Sequence, residues 1–303
     1  MILQKETLAG CPICASTRLR HLLTAPDYES RTGDYGIHEC LQCGVAFTNP
    51  RPIASELPKL YDERATADFP RTSGLVRRLR EFAIDRYLAS QLGPIGETGD
   101  APFRALDYGC GDGALARGIV RFARAHGRVP KVTAVDFHAS APAALSGEDD
   151  AIAYQQNAAW HAQPGQYHAI FLRHVLEHHP EPRRLLGELI ATLRPGGRLF
   201  IEVPNRRSVW ASVFGRCYFG YYLPRHLMHF DAASLESLMR QAGCESVHVT
   251  RAHTPIIGRS LGYLSGRAIG NTGFIGLASY PLQVVLDKAW GCSSTLRAAG
   301  SRG

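Results

Sequence analysis

Between residues 103 and 205 the apolar positions come in short continuous runs separated by longer stretches of helical period. The runs "FRALDY" (103–108), "KVTAVDF" (131–137), "YHAIFLR" (167–173) and "RLFIEVPN" (198–205) are six to eight residues long, the signature of strands covered on both faces. Between them, "GDGALARGIVRFARAHG" reads as a helix closing at Gly127. "EPRRLLGELIATLRPGG" sets Leu185, Leu186, Leu189, Ile190 and Leu193 on one helical face. Such alternation predicts a parallel sheet with helices on both sides, and ligands of such sheets sit at the carboxyl ends of the strands. Further on, Asp231 is suited to cap a helix over "AASLESLMRQAG" that Gly243 closes, and "ESVHVTRA" and "STLRAA" read as two last strands.

Upstream the pattern changes. Residues 51–95 read as a helical linker: "NPRPIASELPKLYDE" opens on prolines, and "SGLVRRLREFAIDRYLASQLG" spaces Leu75, Leu79, Phe82 and Tyr87 near the helical period before Gly93-Pro94. Its Arg77, Arg78 and Arg80 read as a solvated face. Residues 1–50 carry Cys11-Pro-Ile-Cys14 and Cys40-Leu-Gln-Cys43, two tight turns separated by twenty-five residues. Each turn aims two thiolates at one point, and together they make the closed four-cysteine shell of structural zinc. Gly44 permits a backbone turn that a side chain would oppose. His21 and His38 are available as substitute ligands. Fifty residues bury little core, so metal supplies stability that packing does not.

Composition adds modest constraints. Of 303 residues, 45% are hydrophobic and 20% charged, ordinary for a globular chain. The net charge of +7 raises the prior for anionic partners, but the arginines are spread along the chain. Without a concentrated basic stripe interleaved with aromatics, nucleic-acid binding is disfavoured. The opening "MILQKETLAG" lacks the apolar core of a signal peptide, which points to the cytoplasm. Residues 254–290 form an insertion whose uncharged stretch 268–286 could touch a membrane surface. Its three glycines, Asn271, Pro281 and Gln283 argue against a span.

The first strand of the alternating region runs into Asp107-Tyr-Gly109-Cys-Gly111-Asp-Gly113-Ala114. The spacing loosely fits a dinucleotide loop, so a nicotinamide oxidoreductase is one reading. Asp107 and Asp112 would repel a pyrophosphate and attract a ligand carrying an amino group and a sulfonium. Asp136 ends the second strand, where a carboxylate can accept both hydroxyls of an adenosine ribose.

"ALDYGCGDGALAR", Asp136, "HVLEHHPEP" (174–182) and "LRPGGRLFIEVPN" occur in the order found in class I S-adenosylmethionine-dependent methyltransferases, which this chain resembles over roughly residues 100–250. The cysteine pairs and the run Pro224-Arg-His226-Leu-Met-His229-Phe230 are similar to a zinc-knuckle subgroup that tailors sugars and natural products. The resemblance implies an α/β, Rossmann-like doubly wound sheet of seven strands, the last pair antiparallel, in a domain of residues 96–303. It implies that Asp107, Gly109 and Gly111 line the methionine part of S-adenosylmethionine, with Gly113 supporting the loop. It implies further that Asp136 holds the ribose, and that Phe137 and Asn157 lie by the adenine.

The acceptor implied is a small molecule, a sugar or a carrier-linked group. Methyl transfer to a hydroxyl requires alignment and proton removal, and histidine is the usual base near neutral pH. His178, His226 and His174 are the candidates in that order, with Glu177 as orienting partner. His174 and His178 have a spacing that suits a metal on a helix, but Pro180 and Pro182 make the stretch a loop. The aromatic segment 206–230 is a candidate lid. Beside the enzyme readings stand a zinc-containing nucleic-acid-binding protein and a non-catalytic methyltransferase-like protein.

Overall fold

A computed structural model describes residues 2–61, 74–93, 102–145, 150–161, 163–266, 274–290 and 293–303. The expected linker boundary at 95/96, part of the linker itself and residues 267–273 of the insertion lie outside the described residues. The N-terminal part contains β1 (Lys5–Glu6), β2 (Leu19–Pro26), β3 (Asp34–Cys40), β4 (Ala46–Thr48), β5 (Arg51–Pro52) and a 3-10 helix over Ala54–Tyr61. Then come α1 (Gly74–Leu92), β6 (Phe103–Tyr108), α2 (Ala114–Ala125), β7 (Pro130–Asp136), β8 (Ile152–Gln156) and β9 (Tyr167–Arg173). They are followed by α3 (Pro182–Thr192), β10 (Leu193–Pro204), α4 (Val209–Phe214), β11 (Met228–His229), α5 (Ala232–Gln241), β12 (Glu245–Ala252), α6 (Ile257–Leu264), α7 (Phe274–Ala289) and β13 (Thr295–Ser301).

The large sheet has seven strands in the order β12-β13-β10-β9-β6-β7-β8. Strands β6 to β10 are parallel, and β13 runs antiparallel to both β10 and β12. The seven-stranded, Rossmann-like expectation is therefore met. The chain order reverses between β6 and β9, and the crevice at that switch point is where such sheets bind ligands. Ala105, Leu106, Ile170, Phe171, Leu172, Leu199 and Phe200 are buried along the central strands, as continuous apolar runs require. Strand β8 is a further element that the apolar pattern did not single out: "IAYQQ" alternates half-buried and exposed positions because it lies on the sheet edge.

The linker helix α1 forms as expected but presents a different face. Ile84, Tyr87 and Leu88 are buried, whereas Leu79 and Phe82 are exposed. Gly118 of α2 lets the two helices approach: a Cβ there would lie 2.5 Å from Ile84 Cγ2. The helix α5 starts as predicted. Asp231 accepts from the Ser234 backbone N–H at 2.9 Å, and the Ser234 hydroxyl closes the reciprocal bond at 3.0 Å, a capping box.

A second sheet, β11-β4-β3-β2, ties distant parts of the chain together. Met228 and His229 of the candidate lid pair with Phe47 and Ala46 of the cysteine-bearing segment. Cys11, Ile13, Cys40, Val45 and Phe47 share one apolar cluster with Leu172, Leu176, Leu227, Phe230 and Leu235. The first fifty residues thus pack into the core of the sheet domain. Among the described residues no helix is long and apolar enough to cross a membrane. In α7, Gln283 and Asp287 are buried; Asp287 accepts from Trp210 Nε1 at 2.7 Å.

Candidate methyl-transfer site and metal centre

The two cysteine turns have matching backbone geometry. Ala15 N–H donates to the Cys11 carbonyl and Gly44 N–H to the Cys40 carbonyl, both at 2.9 Å. Gly44 has φ +74° and Ala15, its counterpart, φ +59°, so the first turn accepts the left-handed strain that glycine avoids in the second. The four thiols converge: Cys11 Sγ lies 3.5 Å from Cys43 Sγ, and Cys14 Sγ 3.5 Å from Cys40 Sγ. One ligand atom from each of the four lies within 4.8 Å of the others. Tetrahedral zinc–thiolate bonds of about 2.3 Å need S···S separations of about 3.8 Å, so this donor set fits zinc. His21 and His38 face each other across β2 and β3, with ring centroids 5.1 Å apart, and stand outside the cysteine cluster.

At the carboxyl ends of β6 and β7 the glycine loop forms the expected cradle. Gly109, Gly111 and Gly113 all have positive φ. A Cβ at Gly109 would lie 2.2 Å from Val175 Cγ2, and one at Gly113 2.4 Å from the Leu145 side chain. Asp107 is 2% exposed, and its Oδ2 has no hydrogen-bond partner among the described residues. Burial pushes its pKa up to about 7, although the nearby Arg173 charge acts to lower it. A buried carboxyl oxygen without a donor can accept from an ammonium such as the amino group of S-adenosylmethionine, so the cradle fits that cofactor. Asp136 accepts from the Gly111 N–H at 2.8 Å and the Phe137 N–H at 2.9 Å, which closes the loop over the β7 end. Phe137 is exposed. Asn157 is also exposed and accepts from the Tyr108 hydroxyl at 2.7 Å.

Asp112 behaves differently from Asp107. It pairs with Arg80 and accepts from the Ala114 N–H in the first turn of α2 at 3.1 Å. Its charge is therefore engaged by Arg80 and the start of a helix, whereas Asp107 has no ion pair within 4 Å among the described residues. Arg80, read as solvated, is the cation that engages Asp112.

The stretch 174–182 follows β9. His174 adopts φ +55°, and its ring lies between two carboxylates: Nδ1 is 3.3 Å from Glu177 Oε1, and Nε2 is 3.5 Å from Glu202 Oε1. Burial opposes its charge, but the bonds to Glu177 and Glu202 outweigh it and raise its pKa to about 9. His174 is thus cationic at neutral pH, with no lone pair to accept a proton.

His178 and His226 form a pair, with centroids 4.6 Å apart. Desolvation lowers the pKa of His178 and holds His226 well below the ordinary value, so both are neutral. His178 Nδ1 lies 3.0 Å from the Arg225 carbonyl and 2.7 Å from the Tyr61 hydroxyl. His226 Nδ1 lies 2.9 Å from the Gly220 carbonyl.

Three residues that sequence reasoning missed complete the surroundings. Tyr61 stacks obliquely on Phe137, centroids 5.3 Å apart, while its hydroxyl meets His178. Glu202 on β10 gathers His174, Arg173 and Arg297. Arg225 holds the Leu60 carbonyl at 2.9 Å and the Ser30 hydroxyl at 2.7 Å. Only Arg225 carried a signal, its place beside His226.

Residues 76–249 match the family model described as "Methyltransferase domain". The chain is 30% identical over 164 residues to a ubiquinone biosynthesis O-methyltransferase of Bordetella pertussis, covering 47% of this chain and 62% of that protein. It is 27% identical over 168 residues to one of Xanthomonas axonopodis pv. citri, covering 52% and 67%. Among solved structures, a Haemonchus contortus phosphoethanolamine N-methyltransferase 2 aligns with a TM-score of 0.54 at 16% identity, over 93% of this chain and 71% of that one. The [4+2]-cyclase SpnF aligns at 0.52 and 17%, over 83% and 97%. At such identities the structural likeness speaks for the fold alone. The nicotinamide reading gives way to the family match, and with more than half of its length matched the chain belongs to the methyltransferase-domain family, on the class I S-adenosylmethionine-dependent fold.

Proposed function

We propose that the protein transfers the methyl group of S-adenosylmethionine to an oxygen of a small-molecule, sugar or carrier-linked acceptor, with the His178–His226 pair receiving the acceptor's proton. The observation that carries this reading is Tyr61: its ring leans on Phe137 of the cofactor loop, and its hydroxyl touches His178. One residue thus couples the cofactor edge to the candidate base. The O-methyltransferase relatives support oxygen as the acceptor atom. The domain division goes with this reading: a zinc module over 1–50, a linker over 51–95, and a catalytic domain over 96–303 with 206–230 as lid.

In this mechanism Asp107, Gly109 and Gly111 hold the methionine part, Asp136 the ribose, and Phe137 and Asn157 the adenine. The cofactor supplies an activated methyl on a positive sulfur. The chain's task is to align the acceptor oxygen and take its proton. A carbonyl only accepts, so the Nδ1 of His178 and of His226 each carry the hydrogen and each Nε2 keeps its lone pair. A neutral imidazole with a fixed tautomer is a competent general base. Glu177, by pairing with His174, shapes the loop and faces His226 Nε2 at 3.9 Å.

The test is methyl transfer from labelled cofactor to a panel of phenolic and sugar hydroxyls, with His178→Ala and His226→Ala assayed separately. At least one should lose about 10²- to 10⁴-fold in turnover while still binding S-adenosylhomocysteine. Full turnover in both would remove the pair as base.

A further inference from the structure

Glu177 has an acceptor that proton transfer by the two histidines does not use. The residue is 1% exposed, and its Oε2 is buried with no hydrogen-bond partner among the described residues. Its Oε1 faces His226 Nε2 at 3.9 Å. With Nδ1 of His226 committed to the Gly220 carbonyl, the imidazole nitrogen that keeps its lone pair and a carboxylate oxygen lie 3.9 Å apart with no proton between them, the carboxylate oxygen accepting only from His174 at 3.3 Å among the described residues. His178 adds a third donor: one ligand atom from each of Glu177, His178 and His226 lies within 4.8 Å of the others. Buried acceptors left facing each other are costly, and a cation satisfies all of them at once.

The supporting contacts match. Histidines that bind metals through one nitrogen anchor the other N–H on a carbonyl or carboxylate, which sets tautomer and ring orientation. His178 does this on Arg225 and His226 on Gly220. The three donors come from two segments, the loop after β9 and the lid, and these are joined by the Leu227 N–H donating to the Glu177 carbonyl at 2.8 Å. The nearest cation, His174, is shared with Glu202, so Glu177 is not its sole counter-charge.

We propose that Glu177, His178 and His226 form a binding site for a divalent transition-metal ion, separate from the four cysteines. Two imidazole nitrogens and one carboxylate oxygen favour zinc, cobalt or iron(II) over magnesium or calcium. Binding itself does not depend on the proposed catalytic role. Its consequence for turnover rests on that reading: an occupied site takes the lone pairs that would accept the proton, so loading suppresses methyl transfer to a hydroxyl.

The experiment is cobalt(II) titration of the whole chain with zinc already on the cysteines. One further equivalent should bind, with visible ligand-field bands of nitrogen and oxygen coordination and no thiolate-to-cobalt charge-transfer band. His226→Gln and Glu177→Gln should each weaken that binding at least tenfold while zinc content and melting temperature stay near wild type. If Glu177→Gln fails to fold, His178→Asn replaces it. Absence of a second equivalent in the wild type, or undiminished binding in the histidine variants, overturns the site. A protein that binds the second cobalt yet turns over fully in both histidine→alanine variants overturns the base reading alone. One that loses turnover in those variants but binds no second cobalt overturns the metal site alone.

Discussion

Asp107 is the residue proposed to meet the cofactor's amino group, and its environment makes that role testable. The carboxyl is buried at the end of β6 with an oxygen that has no partner among the described residues, and desolvation raises its pKa to about 7. Its folded pKa therefore lies above that of the unfolded chain, so ionising it disfavours the ligand-free folded state as pH rises from about 4 through 7. A bound ammonium reverses this by favouring the carboxylate. Cofactor affinity should accordingly rise about tenfold between pH 6 and pH 8, read by calorimetry with S-adenosylhomocysteine. Asp107→Asn should flatten that dependence and weaken binding about ten- to a hundredfold at pH 8, in line with about 1.5–3 kcal/mol for a hydrogen bond to a charged group. A variant that binds as well as wild type would show that Asp107 does not meet the ligand. His174 illustrates the converse: its residue type suggested a base, yet Glu177 and Glu202 make it a cation.

At the scale of elements, the segment 206–230, the proposed lid, is tied to the first fifty residues, the proposed module. Arg206, 9% exposed in its side chain, reaches Glu39 at 2.8 Å, Asp231 at 2.5 Å and the Gly44 carbonyl at 2.9 Å. It thereby joins β3, the second cysteine turn and the cap of α5. Burial would raise the pKa of Glu39, but Arg20 and Arg206 together lower it. Thr48 donates to the His226 carbonyl at 2.7 Å, which links β4 to the candidate base. Breaking a buried ion pair by removing one partner costs about 3–5 kcal/mol. Arg20 and Arg207 remain beside the two carboxylates, so Arg206→Leu should destabilise the fold by about 2–3 kcal/mol. Urea unfolding measures this, and a change under about 0.5 kcal/mol would mean the module and lid are not coupled through Arg206.

For the whole molecule, the cysteine cluster and the sheet share one core, so metal at the cysteines stabilises more than the first fifty residues. Stripping it with a strong chelator, or Cys40→Ser, should lower the melting temperature of the entire chain by at least about 5 °C, given about 2–4 °C per kcal/mol at such sizes. A separate early transition that leaves the main one in place would instead mark an independent module. Much of the architecture was legible in residue order: the alternation of apolar runs and helical periods, the glycine loop with Asp107 and Asp136, and the paired cysteines. Each is written in local spacing, which backbone geometry converts directly into strand, turn or knuckle. The buried face of α1 was not legible, because Leu79 and Ile84 are equally apolar and only α2 decides which is covered. Nor was the pairing of β11 with β4, which joins residues about 180 positions apart. The roles within "HVLEHHPEP" also waited for the fold, since the sequence supplied the histidines but not their surroundings. Tyr61, Glu202, and the carbonyls of Gly220 and Arg225 come from distant segments, and they determine which imidazole is charged and which keeps its lone pair.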